Sequence, residues 1–158
     1  MIGINDLFGG FKERAEQVSN ALRSPEVAFV LVTSPNPLAI GEARFFSDKL
    51  HEAGMKREAI IINQVHTLIP KPNISDEAQV AELRIVLPKS LDAADIQPRL
   101  SEALKLERRW AVADRTEVER LNEQVGSETH IVEVPAFDED VHDLAALAKV
   151  ASYLTMAS

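Results

Sequence analysis

The residues of this sequence best suited to chemistry fall in clusters, each just after an apolar run. Ser34 and Asn36 follow VAFVLVT. Asn63, Gln64 and His66 follow a row of isoleucines. Asp138, Asp140, His142 and Asp143 follow IVEVP. His66, His142, Asp140 and Asp143 are of types that ligate zinc or manganese. Their spacing matches no known ligand motif, and residues of these types commonly cap helices, which is the simpler reading. Ser34, His66 and Asp140 have the residue types of a nucleophilic triad. Pro35 follows Ser34 directly, however, and no G-x-S-x-G surrounds it, so the turn that such a nucleophile needs is missing. Asn63 offers a donor and an acceptor at the end of an apolar strand. Read alone, it is most simply a cap on the loop that follows.

A sheet would bring these clusters together. Residues 27–35 and 59–65 (AIIINQV) are nearly continuous apolar, β-branched runs, the pattern of parallel strands covered on both faces. Between them Asn36-Pro37 breaks the chain. The stretch LAIGEARFFSDKLHEAG then reads as a helix with a face of Leu38, Phe45, Phe46, Lys49 and Leu50, and with Gly54 just past its end. Strand, helix and strand at this spacing predict a right-handed βαβ unit. Residues 129–135 form a third strand.

Helices fill the remainder. Residues 6–22 carry Phe8, Phe11, Ala15, Val18 and Leu22 at helical spacing, with Gly9-Gly10 weakening the first turn and Ser24-Pro25 ending it. Residues 66–75, with Pro70 and Pro72, are a loop. Residues 75–126 form a helical excursion with apolar spacing at Val80, Leu83 and Leu87, then at Ile96, Leu100 and Leu104. Its charge-rich run reads as a solvated face, Trp110 as core or a helix–helix seam, and Gly126 as the stop. Asp138 and Asp140 are placed to cap a last helix with Val141, Leu144, Leu147, Val150 and Leu154 on one face.

The expected fold is therefore α/β, in a single domain over residues 1–158. A partial doubly wound parallel sheet of about three strands is flanked by helices, and the excursion precedes the last strand. In such sheets ligands bind outside the carboxyl ends of the strands, where all the polar clusters lie. So thin a sheet with an open edge looks like half of a larger doubly wound domain.

Composition narrows the functions. A formal net charge of −8 and the lack of any Lys/Arg run argue against nucleic acid or an anionic membrane as partner. The chain has no cysteine, which excludes disulfides, thiolate metal sites and thiol nucleophiles and fits a cytoplasmic protein. No apolar stretch is long enough to span a bilayer, and the N-terminus lacks the pattern of a secretory signal. No glycine is followed by lysine, so the sequence holds no phosphate-binding P-loop.

Taken in order, FVLVTSPNPLAIGEARFFSDKLHEAG, IIINQVH and VEVPAFDEDVHDLAALAKVASYL resemble the C-terminal half of the arsenite-pump ATPase family. That family includes the tail-anchored protein targeting ATPases of the deviant P-loop class. The shared features are a strand ending V-T-x-P, a helix carrying E-A, a strand ending in Asn, and V-P separated by six residues from H-x-L. The opening helix also resembles the one leading into that half.

The resemblance implies ATP as ligand, with magnesium, bound between this half and a P-loop-bearing N-terminal half, in a dimer. It implies that Asn63, with Gln64 beside it, meets the adenine, and that Pro135, Ala136 and Phe137 pack against the base. An amide suits an adenine edge, since it donates and accepts at once. The family's P-loop lysines and catalytic aspartates have no counterpart here. They are expected upstream of this segment, so no catalytic residue is assigned and the chain alone is not expected to hydrolyse ATP. The alternative is a non-enzymatic module that binds a helical or apolar client, such as a membrane-protein segment, through residues 75–126.

Overall fold

A computed structural model of the protein describes residues 4–126 and 129–156. The elements in chain order are α1 (Ile4–Leu22), β1 (Phe29–Thr33), α2 (Pro37–Glu52), β2 (Arg57–Val65), α3 (Asp76–Val86), α4 (Ala93–Val125), β3 (His130–Pro135) and α5 (Leu144–Met156). The strands form one parallel sheet in the order β1-β2-β3. The architecture is α/β, an open three-stranded sheet flanked by helices with a long helix before the last strand.

Local chemistry sets most helix boundaries. Asn36 accepts a hydrogen bond from the Leu38 backbone N–H at 2.9 Å, and Pro37 occupies the first turn of α2, where its missing N–H costs nothing. Gly54 (φ 69°) follows the end of α2 and Gly126 (φ 75°) ends α4, both in conformations that a side chain would disfavour. Ser75 caps α3 and Asp92 caps α4. Pro88 forces Leu87 into an extended conformation and so separates α3 from α4. The cap of α5 differs from expectation: Asp143 accepts from the Ala146 N–H at 2.7 Å, and neither Asp138 nor Asp140 takes that role. The helix begins later than the apolar spacing suggested, leaving Val141 in the loop.

Register separates the two faces of the sheet. Leu31 pairs with Ile60 and Ile60 with Ile131, so these share one face with Ile62. There Ile60, Ile62 and Val65 pack with Ile40 of α2 and with Val118 and Leu121 of α4, forming the core. Val32, Ile61 and Val132 share the opposite face, as do Asn63 and Val134. α5 packs on β3, and Val132 and Val134 are buried.

That cover does not reach β1, where Val30 and Val32 are 51% and 68% exposed. The expectation that β1 is covered on both faces is thus corrected: one face is bare, because α5 spans only the far side. β1 is also shorter than the apolar run, since Val27 is held in a turn by the Ser24 carbonyl. Phe45 and Phe46, expected on the inner face of α2, are exposed; Ile40, Ala43, Ser47 and Leu50 are buried instead. α1 runs through Gly10, and Phe11 and Val18 are exposed. The side chain of Phe8 lies outside the described residues.

Arg57 binds the amino end of the sheet. Its guanidinium donates to Ser47 Oγ of α2, to the Val125 carbonyl at the end of α4 (3.2 Å), and to Thr129 Oγ1 ahead of β3 (2.9 Å). These bonds explain why β2 starts at Arg57, before the apolar run begins. Gln97 similarly ties α4 to α3, donating to Asp76 Oδ1 at 3.1 Å and to Gln79 Oε1 at 3.3 Å.

The two faces predict different tolerances. Ile62→Ala should cost about 2–5 kcal/mol, as a buried large-to-small change does. Val32→Thr on the bare face should stay within ~0.5 kcal/mol. Urea denaturation of both variants checks this, and a large loss for Val32→Thr would mean that the face is covered in solution.

Candidate functional site

A cleft of about 1020 Å³ opens at the carboxyl edge of the sheet, between bare β1 and α5. Val32, Ile61 and Val134 form its apolar floor, and Leu147, Val150 and Leu154 of α5 form one wall. The residues following all three strands line its rim. All five residues assigned to ligand binding from the sequence, Asn63, Gln64, Pro135, Ala136 and Phe137, line this one cleft, together with Ser34 and His66.

Asn63 faces it by ordinary alternation, and Gln64 joins it through an irregularity in β2. Ile60 and Ile62 point into the core, so simple alternation would send Gln64 inward after them. Instead the register breaks between Asn63 and Val65, and Gln64 adopts φ 62°, the left-handed region. This is a β-bulge in which Gln64 is the extra residue. Val65 takes the core position that Gln64 vacates, and its carbonyl accepts from the Ala136 N–H at 3.0 Å. Two consecutive amides are left facing the cleft.

Neither side-chain amide makes a hydrogen bond among the described residues, and both residues are exposed. The simpler reading of Asn63 as a loop cap is therefore not realised. Its position is also less buried than the apolar run before it suggested.

Behind the amides lies a pair that the sequence reading missed. Asp114 of α4 accepts from the backbone N–H of His66 at 2.9 Å, and the same Oδ2 lies 2.7 Å from His66 Nδ1. Asp114 is buried and His66 half-buried. With a carboxylate on Nδ1, that nitrogen carries the proton. Trp110, expected in the core or at a helix–helix seam, is 44% exposed and lies tilted against the imidazole, with ring centroids 5.3 Å apart. The partner of His66 is thus Asp114, not Asp140. His142 Nδ1 instead donates to the Asp140 carbonyl at 2.7 Å. Asp114 lies in the charge-rich run read as a solvated face. Its one signal was its place one turn before Val118 and two before Leu121, on the side that α4 buries.

On the other side of the cleft, α5 pins Phe137. Tyr153 lies at 6.0 Å between centroids, and the Lys149 ammonium sits over the ring at 4.5 Å. Among the described residues no group of three His, Asp or Glu side chains could hold a metal ion. Among them, too, no helix is long and apolar enough to cross a membrane.

The cleft can therefore take a flat, largely apolar group between its floor and the Pro135–Phe137 lip, with two amides to read its polar edge. Its carboxylates do not gather into a group of three that could hold a metal ion. Compared with known proteins, the chain matches no family model and no curated protein.

The bulge makes its own prediction. A left-handed residue costs about 1–2 kcal/mol for L-amino acids, and a β-branched one fares worst. Gln64→Gly should leave stability unchanged or raise it by up to ~1 kcal/mol, whereas Gln64→Val should lower it by about 1–2 kcal/mol. Thermal melts of the pair check the sign; equal losses would show that the left-handed turn is not formed.

Proposed function

We propose that this chain is the adenine-recognising part of an arsenite-pump-like ATPase whose phosphate-binding loop comes from a separate segment. The observation that carries the reading is the bulge at Gln64. It turns Gln64 to the side that Asn63 already faces, so that two uncommitted amides meet an apolar floor beside Pro135, Ala136 and Phe137. An adenine needs a flat apolar slot and a donor–acceptor pair at its edge, and these residues supply both. ATP is the ligand of this reading, with magnesium held by the P-loop half. Hydrolysis by this chain alone is not expected, because its described residues place no lysine in the cleft and no cluster of three groups that could hold a metal ion.

The bare strip of β1 supports a two-part protein. Its outer edge pairs with no strand among the described residues, and Val30 and Val32 are uncovered. Such an edge suits added strands and a covering helix from a P-loop half or a second copy.

Asn63→Ala should weaken adenosine binding about tenfold, the ~1.4 kcal/mol expected of one or two net hydrogen bonds. Inosine, which replaces the 6-amino donor by a carbonyl, should bind the unaltered chain more weakly than adenosine. Calorimetry with both nucleosides, together with the side-chain amide signals of Asn63 and Gln64 in NMR spectra, provides the check. If those signals ignore adenosine, the reading falls.

A second reading, a module that binds a helical or apolar client, is favoured by one observation on α3. Ile85 and Val86 are 83% and 75% exposed side by side, and Val112 and Trp110 of α4 are also exposed. A photoreactive residue at position 85 should then crosslink to an amphipathic helical peptide. Failure of both that capture and hydrophobic dye binding would remove this reading.

A further inference from the structure

The charges around the cleft have a consequence for which end of a nucleotide it accepts. No lysine or arginine lines it, while four carboxylates do: Asp114, Glu117, Glu139 and Asp140. The first two are already engaged. Asp114 accepts both hydrogen bonds of His66. Glu117 is paired with Arg120 at 2.7 Å and 2.9 Å. Glu139 and Asp140 are exposed, and neither carboxylate has an ion pair among the described residues. Lys149, on the neighbouring helix, sits on the face of Phe137.

Helix N-termini could attract phosphate to this edge, but both are already engaged. At α2, Pro37 has no N–H and Asn36 takes that of Leu38. At α5, the Asp143 carboxylate caps the first turn and adds negative charge.

We infer that the cleft accepts the nucleoside end of an adenine nucleotide and repels its phosphates, so that this chain by itself binds adenosine more tightly than ATP. The inference rests on the adenine reading of the same cleft and specifies its ligand class. Glu139 and Asp140 repel the phosphates through solvent, an effect that weakens with added salt. ATP affinity then depends on cations contributed by a partner segment.

The test is calorimetric titration of the full chain with adenosine, AMP and ATP, free of magnesium, at low and at physiological ionic strength. The expected order is adenosine, AMP, ATP, with about a tenfold gap between first and last at low salt that shrinks at higher salt. In the double variant Glu139→Gln/Asp140→Asn the gap should largely close while adenosine affinity stays the same. ATP binding as tightly as adenosine, or an unchanged gap in the variant, overturns this inference and leaves the adenine reading standing. Absence of binding by all three ligands overturns both.

Discussion

Among the described residues, every strand-to-strand pairing passes through β2. In the order β1-β2-β3 the outer strands never meet, so a single strand supplies both ladders and the centre of the core. Ile60 and Ile62 are completely buried, and each isoleucine side chain so buried contributes roughly 1.5–3 kcal/mol. Both ends of the strand are also fixed from outside the sheet. Arg57 binds its start to α2, α4 and the approach to β3, while Asp114 holds its exit through His66. α4 supplies a partner at both ends. The long helix therefore acts as a splint along β2, and the cleft inherits its shape from that arrangement.

The bulge matters because a strand so constrained has little freedom at its tip. Strict alternation would place one amide in the cleft and bury the other in an apolar core, where an unsatisfied amide costs about 1–3 kcal/mol. One left-handed residue avoids that cost and restores Val65 to the core. The strain is local, and its neighbours are set by packing and by the Asp114 clamp. Backbone strain of this kind is common at ligand sites, where the surrounding structure holds it in place.

The strands, the helix breaks and the glycine stops at Gly54 and Gly126 were legible in the sequence, because each rests on neighbouring residues: β-branched runs, Asn36-Pro37, and glycine after a helical pattern. So was the gathering of the polar clusters at one sheet edge, which follows from parallel topology alone. Features set by distant residues were not legible. Nothing near His66 announces Asp114, which comes from another element. The bare face of β1 was hidden because VAFVLVT reads the same whether a covering helix is present or not. The left-handed Gln64 has no glycine or asparagine to mark it. Phe45 and Phe46 misled for a related reason: large apolar residues point to a buried face only when something lies opposite to bury them.

The bare face and the cleft are one feature. α5 covers β3 and stops short of β1, and the gap left over Val32 and Ile61 is the cleft floor. A parallel sheet ordinarily has a second layer on each face. Whatever element completes that layer over β1 would also narrow the cleft and draw water away from Asn63 and Gln64. Hydrogen bonds from an exposed amide compete with water and contribute only about a kcal/mol, whereas the same bonds in a closed slot gain in both strength and selectivity. An arrangement of this kind links recognition to assembly: the edge that lacks a neighbour and the site that lacks a roof are completed by the same contact. The acidic lip fits that order of events, since a cationic partner surface would gain Glu139 and Asp140 as counter-charges as it closed over them.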